Sequence, residues 1–146
     1  MVTGPGGTTN YDRVHAGGIW LTGPVARTTA APPLLTTLWL TSVGHVDPSQ
    51  VSCCTGKSTC CTTPGVVVSD VNLAAGSEIG EHAATVFSAP DSSFQLNGTL
   101  DVTGFAQPFE QPPGRIAGSV FASGAGFTIT GSFANSFCLP LLQVTI

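Results

Sequence analysis

Between Phe94 and Val102 the chain alternates strictly. Phe94, Leu96, Gly98, Leu100 and Val102 take one parity, and Gln95, Asn97, Thr99 and Asp101 the other. Period two marks a strand with one face in a core and the other in water. Asn97-Gly98 is also a two-residue hairpin signal. The alternation passes through it in phase, however, so the pattern predicts one continuous strand. Arg115 to Ser123 and Phe127 to Phe137 read as two further strands across a turn at Gly124-Ala125-Gly126, and Leu141 to Ile146 as a last short one. Gly118-Ser119 and Gly131-Ser132 are then equivalent positions on two arms of one hairpin, not a solenoid repeat.

Upstream the signal changes character. Leu34 to Val46 and Val66 to Leu73 are runs of Leu, Val and Thr without clean alternation, the first closed by Asp47-Pro48-Ser49 and the second carrying Asp70 near its middle. Both read as strands, the first as one strand or a bent pair. Ile19-Trp20-Leu21 begins the first strand, ended by Gly23-Pro24, and Thr28 to Pro33 is a loop of small residues. Ala83 to Ala89 is another strand, and Ala74 to Ala84 the one place for a short helical turn. A Pro-punctuated loop spans 107–114. Seven to nine strands without a substantial helix predict an all-β fold, an antiparallel β-sandwich or small β-barrel. Residues 1–17, rich in Gly and Thr and without period, read as a flexible N-terminal arm; residues 18–146 form a single domain with a cysteine-rich loop at 52–65.

Composition adds a compartment. Only 8% of the 146 residues are charged, against roughly a quarter in an ordinary soluble domain. Thr, Ser, Gly, Asn and Gln must therefore cover the surface, as suits exported β-proteins and subunits that pack on copies of themselves. The four cations, Arg13, Arg27, Lys57 and Arg115, are scattered, which argues against phosphate-driven nucleic-acid binding. No apolar run reaches the roughly 18–20 residues of a membrane helix, so no transmembrane segment is expected. The first residues carry neither a basic nor an apolar leader segment. Five cysteines favour an oxidising compartment. The expectation is a mature exported domain in an extracellular, periplasmic or cell-surface location.

Gly98-Thr99-Leu100-Asp101-Val102-Thr103, Gly114-Arg115-Ile116-Ala117-Gly118-Ser119, and Thr128-Ile129-Thr130-Gly131-Ser132-Phe133 with Cys138 together resemble the carboxy-terminal half of small exported bacterial β-proteins. Many of those are lipoproteins without an assigned role. The resemblance covers residues 94–138 and implies a compartment and a fold class, but no active site. The chain lacks a lipobox cysteine and adds the cysteine loop.

The densest chemistry is Cys53-Cys54-Thr55-Gly56-Lys57-Ser58-Thr59-Cys60-Cys61. Zinc ligands are usually spaced by two to four residues so that both sulfurs point inward. Adjacent cysteines do not do this, so a disulfide-stapled loop is expected, Cys53 or Cys54 bridging to Cys60 or Cys61, with no metal and no cofactor. Cys138 either stays single or takes a partner from the cluster, which frees one thiol for an intermolecular bridge. Gly56-Lys57-Ser58 lacks the upstream glycine of a phosphate-binding loop. His15, His45, His82, Glu78 and Glu81 show no metalloenzyme spacing, and no Gly-x-Ser-x-Gly elbow exists, so no catalytic residue is assigned. Asn97-Gly98-Thr99 matches the N-glycosylation acceptor; in a bacterial protein it is a strand or turn tripeptide only, which is the reading the bacterial resemblance favours. Tyr11, Trp20 and Phe109 are candidate ligand-binding aromatics, whereas Trp39 reads as core. Leu141, Leu142, Val144 and Ile146 are candidates for an assembly strand added to a neighbour. The expected role is a non-enzymatic secreted or surface β-domain that assembles with itself or with an envelope protein. The alternative is a monomeric carbohydrate- or small-ligand-binding module.

Overall fold

A computed structural model of the protein describes every residue except 1, 5, 22–33, 56–59, 74–75, 107, 109–111 and 146. Nine strands follow one another: β1 Val2–Gly4, β2 Gly7–Thr9, β3 Arg13–Leu21, β4 Leu34–Thr41, β5 Gly65–Leu73, β6 Gly80–Ala89, β7 Gln95–Ala106, β8 Arg115–Gly124 and β9 Phe127–Thr145. Among the described residues the helical content is one turn, α1 at Gln50–Cys53.

From β3 to β9 each strand pairs antiparallel with the next, and β9 returns to pair with β3. The result is a closed seven-stranded up-and-down barrel. Parity dictates how it closes. With an odd number of alternating strands the first and last run the same way, so the β3–β9 seam is parallel while the other junctions are antiparallel. The hairpin β1–β2 lies outside the ring and docks on the start of β9, Val2 against Ile129 and Thr3 against Thr128.

The barrel interior is apolar. Leu38, Val68, Val86, Leu100, Ile116 and Ile129 are fully buried in one cluster. On β7 and β8 the opposite parity faces solvent, with Gln95, Asn97 and Asp101 exposed on one strand and Ser119 and Ser123 on the other. That wet outer face produces the clean alternation of the sequence. On β4, the first half of β5 and the second half of β6 the outer face is covered as well. Trp39, Val67 and Phe87 point outward into a second apolar cluster with Leu141 of β9, closed over by Val46, Val51, Cys54 and Cys61. A strand buried on both faces has no reason to alternate, which explains Val66-Val67-Val68. A bulge also shifts the phase: Ser69 and Asp70 oppose Thr37 alone, so the inward set passes from Val66 and Val68 to Val71 and Leu73.

Several expectations change. The alternating segment is one strand through Asn97-Gly98, as its phase implies. Ile19-Trp20-Leu21 ends its strand rather than beginning it, because β3 starts at Arg13. β4 stops at Thr41, short of Val46. Residues 80–84 are strand and not helical turn; the helical turn falls instead at Gln50–Cys53. Leu141 to Thr145 continue β9, which trades β8 for β3 as its partner near Pro140, a residue with no N–H for a ladder. Residues 1–17 supply the docked hairpin and the first part of β3. The turn at Gly23-Pro24 and the loop from Thr28 to Pro33 lie outside the described residues.

Candidate functional site

Two features stand out from the regular lattice: a stapled cap on the barrel wall and a cleft at one barrel mouth. The cap begins at Asp47, whose Oδ1 accepts the Ser49 N–H at 2.9 Å. That backbone hydrogen bond, with help from the Ser49 side chain, holds the Asp47 carboxyl below the usual carboxylate range. Cys53 bridges to Cys60 and Cys54 to Cys61. Parallel bridges between two adjacent pairs are possible because the cysteines sit on a helical turn and a returning loop, not on one extended segment. Cys54 and Cys61 are buried in the outer core, while Cys60 is exposed. Gln50, itself buried, fastens the two halves: its Oε1 accepts the N–H groups of Thr62 at 2.6 Å and Thr63 at 3.1 Å. All four clustered sulfurs are consumed in disulfides, so no thiolate set is left for zinc. Cys138 forms no disulfide and is half-buried against the outer core, so it takes no partner from the cluster.

The cleft has a volume of about 340 Å³. The β1–β2 hairpin forms one wall with Gly4, Gly6, Gly7 and Thr9, the end of β6 and the turn into β7 form the other, and Phe94 and Phe127 line it between them. Those two rings pack with centroids 4.5 Å apart. Tyr11 lines the same cleft, half-buried against the interior core. The polar wall is pre-arranged around Ser88. Its hydroxyl donates to Asp91 Oδ1 at 3.3 Å and accepts the Phe94 N–H at 3.3 Å; Ser93 Oγ lies 3.0 Å away. Asp91 Oδ1 also accepts the Ser93 N–H at 3.1 Å, which leaves Oδ2 turned to no partner among the described residues. The site thus offers hydroxyls, one carboxylate, backbone groups from glycines and aromatic carbon.

Of the ligand-binding aromatics expected from sequence, Tyr11 is in this cleft. Trp20 belongs to β3 by its backbone, paired with Leu34 and Val144, but its indole is outside the described part of the structure. Phe109 lies outside the described residues. Ser88, Asp91, Ser93 and Phe127 escaped sequence reasoning. The overlooked signal is Gly4-Pro5-Gly6-Gly7 between Val2-Thr3 and Thr8-Thr9, a turn flanked by strand formers. Trp39 is core, with no exposure.

The candidate assembly strand is largely occupied within the molecule. Leu141 is buried in the outer core and Leu142 packs on the interior one. Gln143 and Val144 pair with Ile19 and Trp20 of β3, and Ile146 is outside the described residues. Among the histidines, His15 Nε2 lies 3.0 Å from the Val43 carbonyl oxygen and His82 Nε2 lies 2.7 Å from that of Glu78. Among the described residues no group of three His, Cys, Asp or Glu is placed to hold a metal, and no helix is long and apolar enough to cross a membrane. Comparison with protein-family models, curated proteins and solved structures finds no match to this chain.

Proposed function

We propose that the chain is an exported, non-enzymatic binding module whose barrel mouth takes a small neutral polyhydroxylated ligand, one or two sugar units of a glycan. The observation that carries this reading is the cleft of about 340 Å³ in which a fixed Ser88–Asp91–Ser93 cluster faces aromatic and glycine walls. Barrel mouths are a preferred ligand location, and this volume lies at the lower end of the roughly 300–1,000 Å³ range of ligand sites. Sugars match such a lining because they present hydroxyls at their edges and C–H groups on their faces. The free Asp91 oxygen is suited to accept sugar hydroxyls and repels anionic ligands, in keeping with a net charge of −4. The two disulfides support an oxidising compartment.

Thermal shift and calorimetry across a panel of neutral, anionic and amino sugars test the reading. Neutral sugars are expected to raise the melting point with ligand concentration, and Asp91→Ala to weaken binding by at least about tenfold, the worth of a charged hydrogen bond. A wholly silent panel, or binding indifferent to both Asp91→Ala and Tyr11→Ala, would remove the cleft as the site.

Self-assembly, the second reading, is favoured by β2. Gly7, Thr8 and Thr9 are all exposed, pair with β1 alone in the described sheet, and carry no charge to discourage a neighbouring strand. Light scattering over a concentration series checks it. A larger species that disappears when residues 1–9 are removed is the expected sign, and a concentration-independent monomer counts against it.

A further inference from the structure

Large apolar side chains are rarely left open on this surface; Ile79, Phe121 and Leu139 are the exposed ones among the described residues. Phe121 is the odd member. It lies 53% exposed in the middle of the β7–β8–β9 outer face, directly between Thr99 and Thr130 and beside Ser119 and Ser123. Diagonally across the same face is Asn97, exposed and with its side-chain amide in no hydrogen bond to the described residues, with Thr99 two residues on. Period two puts Asn97 and Thr99 on one side of the strand, both toward the outer face, and the tripeptide matches the N-glycosylation acceptor. Gly98 between them faces the other way, where a Cβ would come 2.7 Å from that of Ala122.

We infer that Asn97 is an N-glycosylation site and that its glycan lies over Phe121. The strand reading of the tripeptide accounts for Gly98 but leaves an aromatic ring open to water. A covalently held sugar covers that ring, and supplies hydrophilic cover to a surface drawn from a chain with 8% charged residues. In the modification the Asn97 amide nitrogen attacks the anomeric carbon of a lipid-diphosphate-linked oligosaccharide. A nitrogen–carbon bond forms, the carbon–oxygen bond to phosphate breaks, the lipid diphosphate leaves with the electron pair, and the amide loses one proton to the transferring enzyme. The disulfides fit the compartment in which such transfer takes place.

The test is secretion of the full chain from cultured animal cells behind a cleavable leader, followed by intact mass before and after an amidase that cuts the Asn–sugar bond. One glycan is expected, lost in Asn97→Gln and in Thr99→Ala, and retained in Thr99→Ser, which keeps the acceptor hydroxyl and guards against misfolding of the other two. Removing the sugar from the wild type should raise the fluorescence of a hydrophobic-surface dye, and Phe121→Ser should abolish that rise. Secreted protein of unmodified mass with both disulfides formed overturns the site. Dye binding unchanged by sugar removal overturns the placement over Phe121.

Discussion

Gln50 shows how much one polar side chain can hold when it is buried among loops. Its Oε1 is the acceptor for the N–H groups of Thr62 and Thr63, and its Nε2 reaches the Cys60 carbonyl at 3.5 Å. Replacing it by leucine keeps the volume, strands the buried Thr63 N–H and takes the acceptor from the part-buried Thr62 N–H. Each unsatisfied donor costs about 1–3 kcal/mol. Gln50→Leu is therefore expected to lose about 2 kcal/mol or more in chemical denaturation, and a loss below about 0.5 kcal/mol would show that water takes over the acceptor role. None of this is legible in the sequence, where Gln50 is one polar residue in a loop after Asp47-Pro48-Ser49. Its partners are ten or more positions away. They come within reach only because the bridges fold 60–63 back over α1. Asp91 is hidden for the same reason: an acid in a Pro-Asp-Ser-Ser turn looks solvated until β1 and β2 build a wall opposite it.

At the scale of elements, legibility follows from what each strand faces. β7 and β8 could be read residue by residue because one face is wet and one is dry. β4, β5 and β6 could be recognised as strands but not oriented, since the stapled cap dries much of their outer faces and a bulge at Ser69–Asp70 reverses the inward parity. The cap itself was visible as a disulfide loop, whereas its task of covering Trp39, Val67 and Phe87 was not. The interior core and the outer core are separate clusters, so they should come apart in order. Each bridge closes a loop with a sequence separation of seven, for which chain entropy gives about 2–3 kcal/mol, the second adding less once the first has formed. Reduction is expected to speed amide exchange through 46–55 and 60–63 and to expose Trp39, while β7 and β8 keep their protection. Uniform loss of protection across the barrel would mean that the cap and the ring are one cooperative unit.

For the whole molecule the decisive place is the seam where the ring closes. A seven-strand meander must end in a parallel pair, and that pair joins the first strand to the last, whereas every other junction joins strands consecutive in the chain. Between Ala16–Phe137 and Gly18–Leu142, β9 carries four residues against Gly17 alone. The excess chain bows outward, which leaves Leu139 exposed and turns Leu141 back into the outer core. Gly17 permits this approach: a Cβ there would sit 2.5 Å from the Leu141 carbonyl oxygen. Gly17→Val must push β9 away, at a cost of about 1–3 kcal/mol by analogy with overpacked cores. It should also do something a mere core defect would not. An opened ring has two unpaired edges, β3 and β9, and exposed edges recruit neighbouring chains. The variant is expected to lose amide protection at 18–21 and 142–145 and to form larger species in light scattering as concentration rises. Gly104→Ala is the matched control, because its Cβ would make only an ordinary 3.6 Å contact with Ala117; it should remain within about 0.5 kcal/mol of the parent and keep the parent's size. If Gly17→Val instead stays closed and unchanged in size, ring closure is not what keeps these charge-poor strands apart, and the outer Ser and Thr face must do so without it.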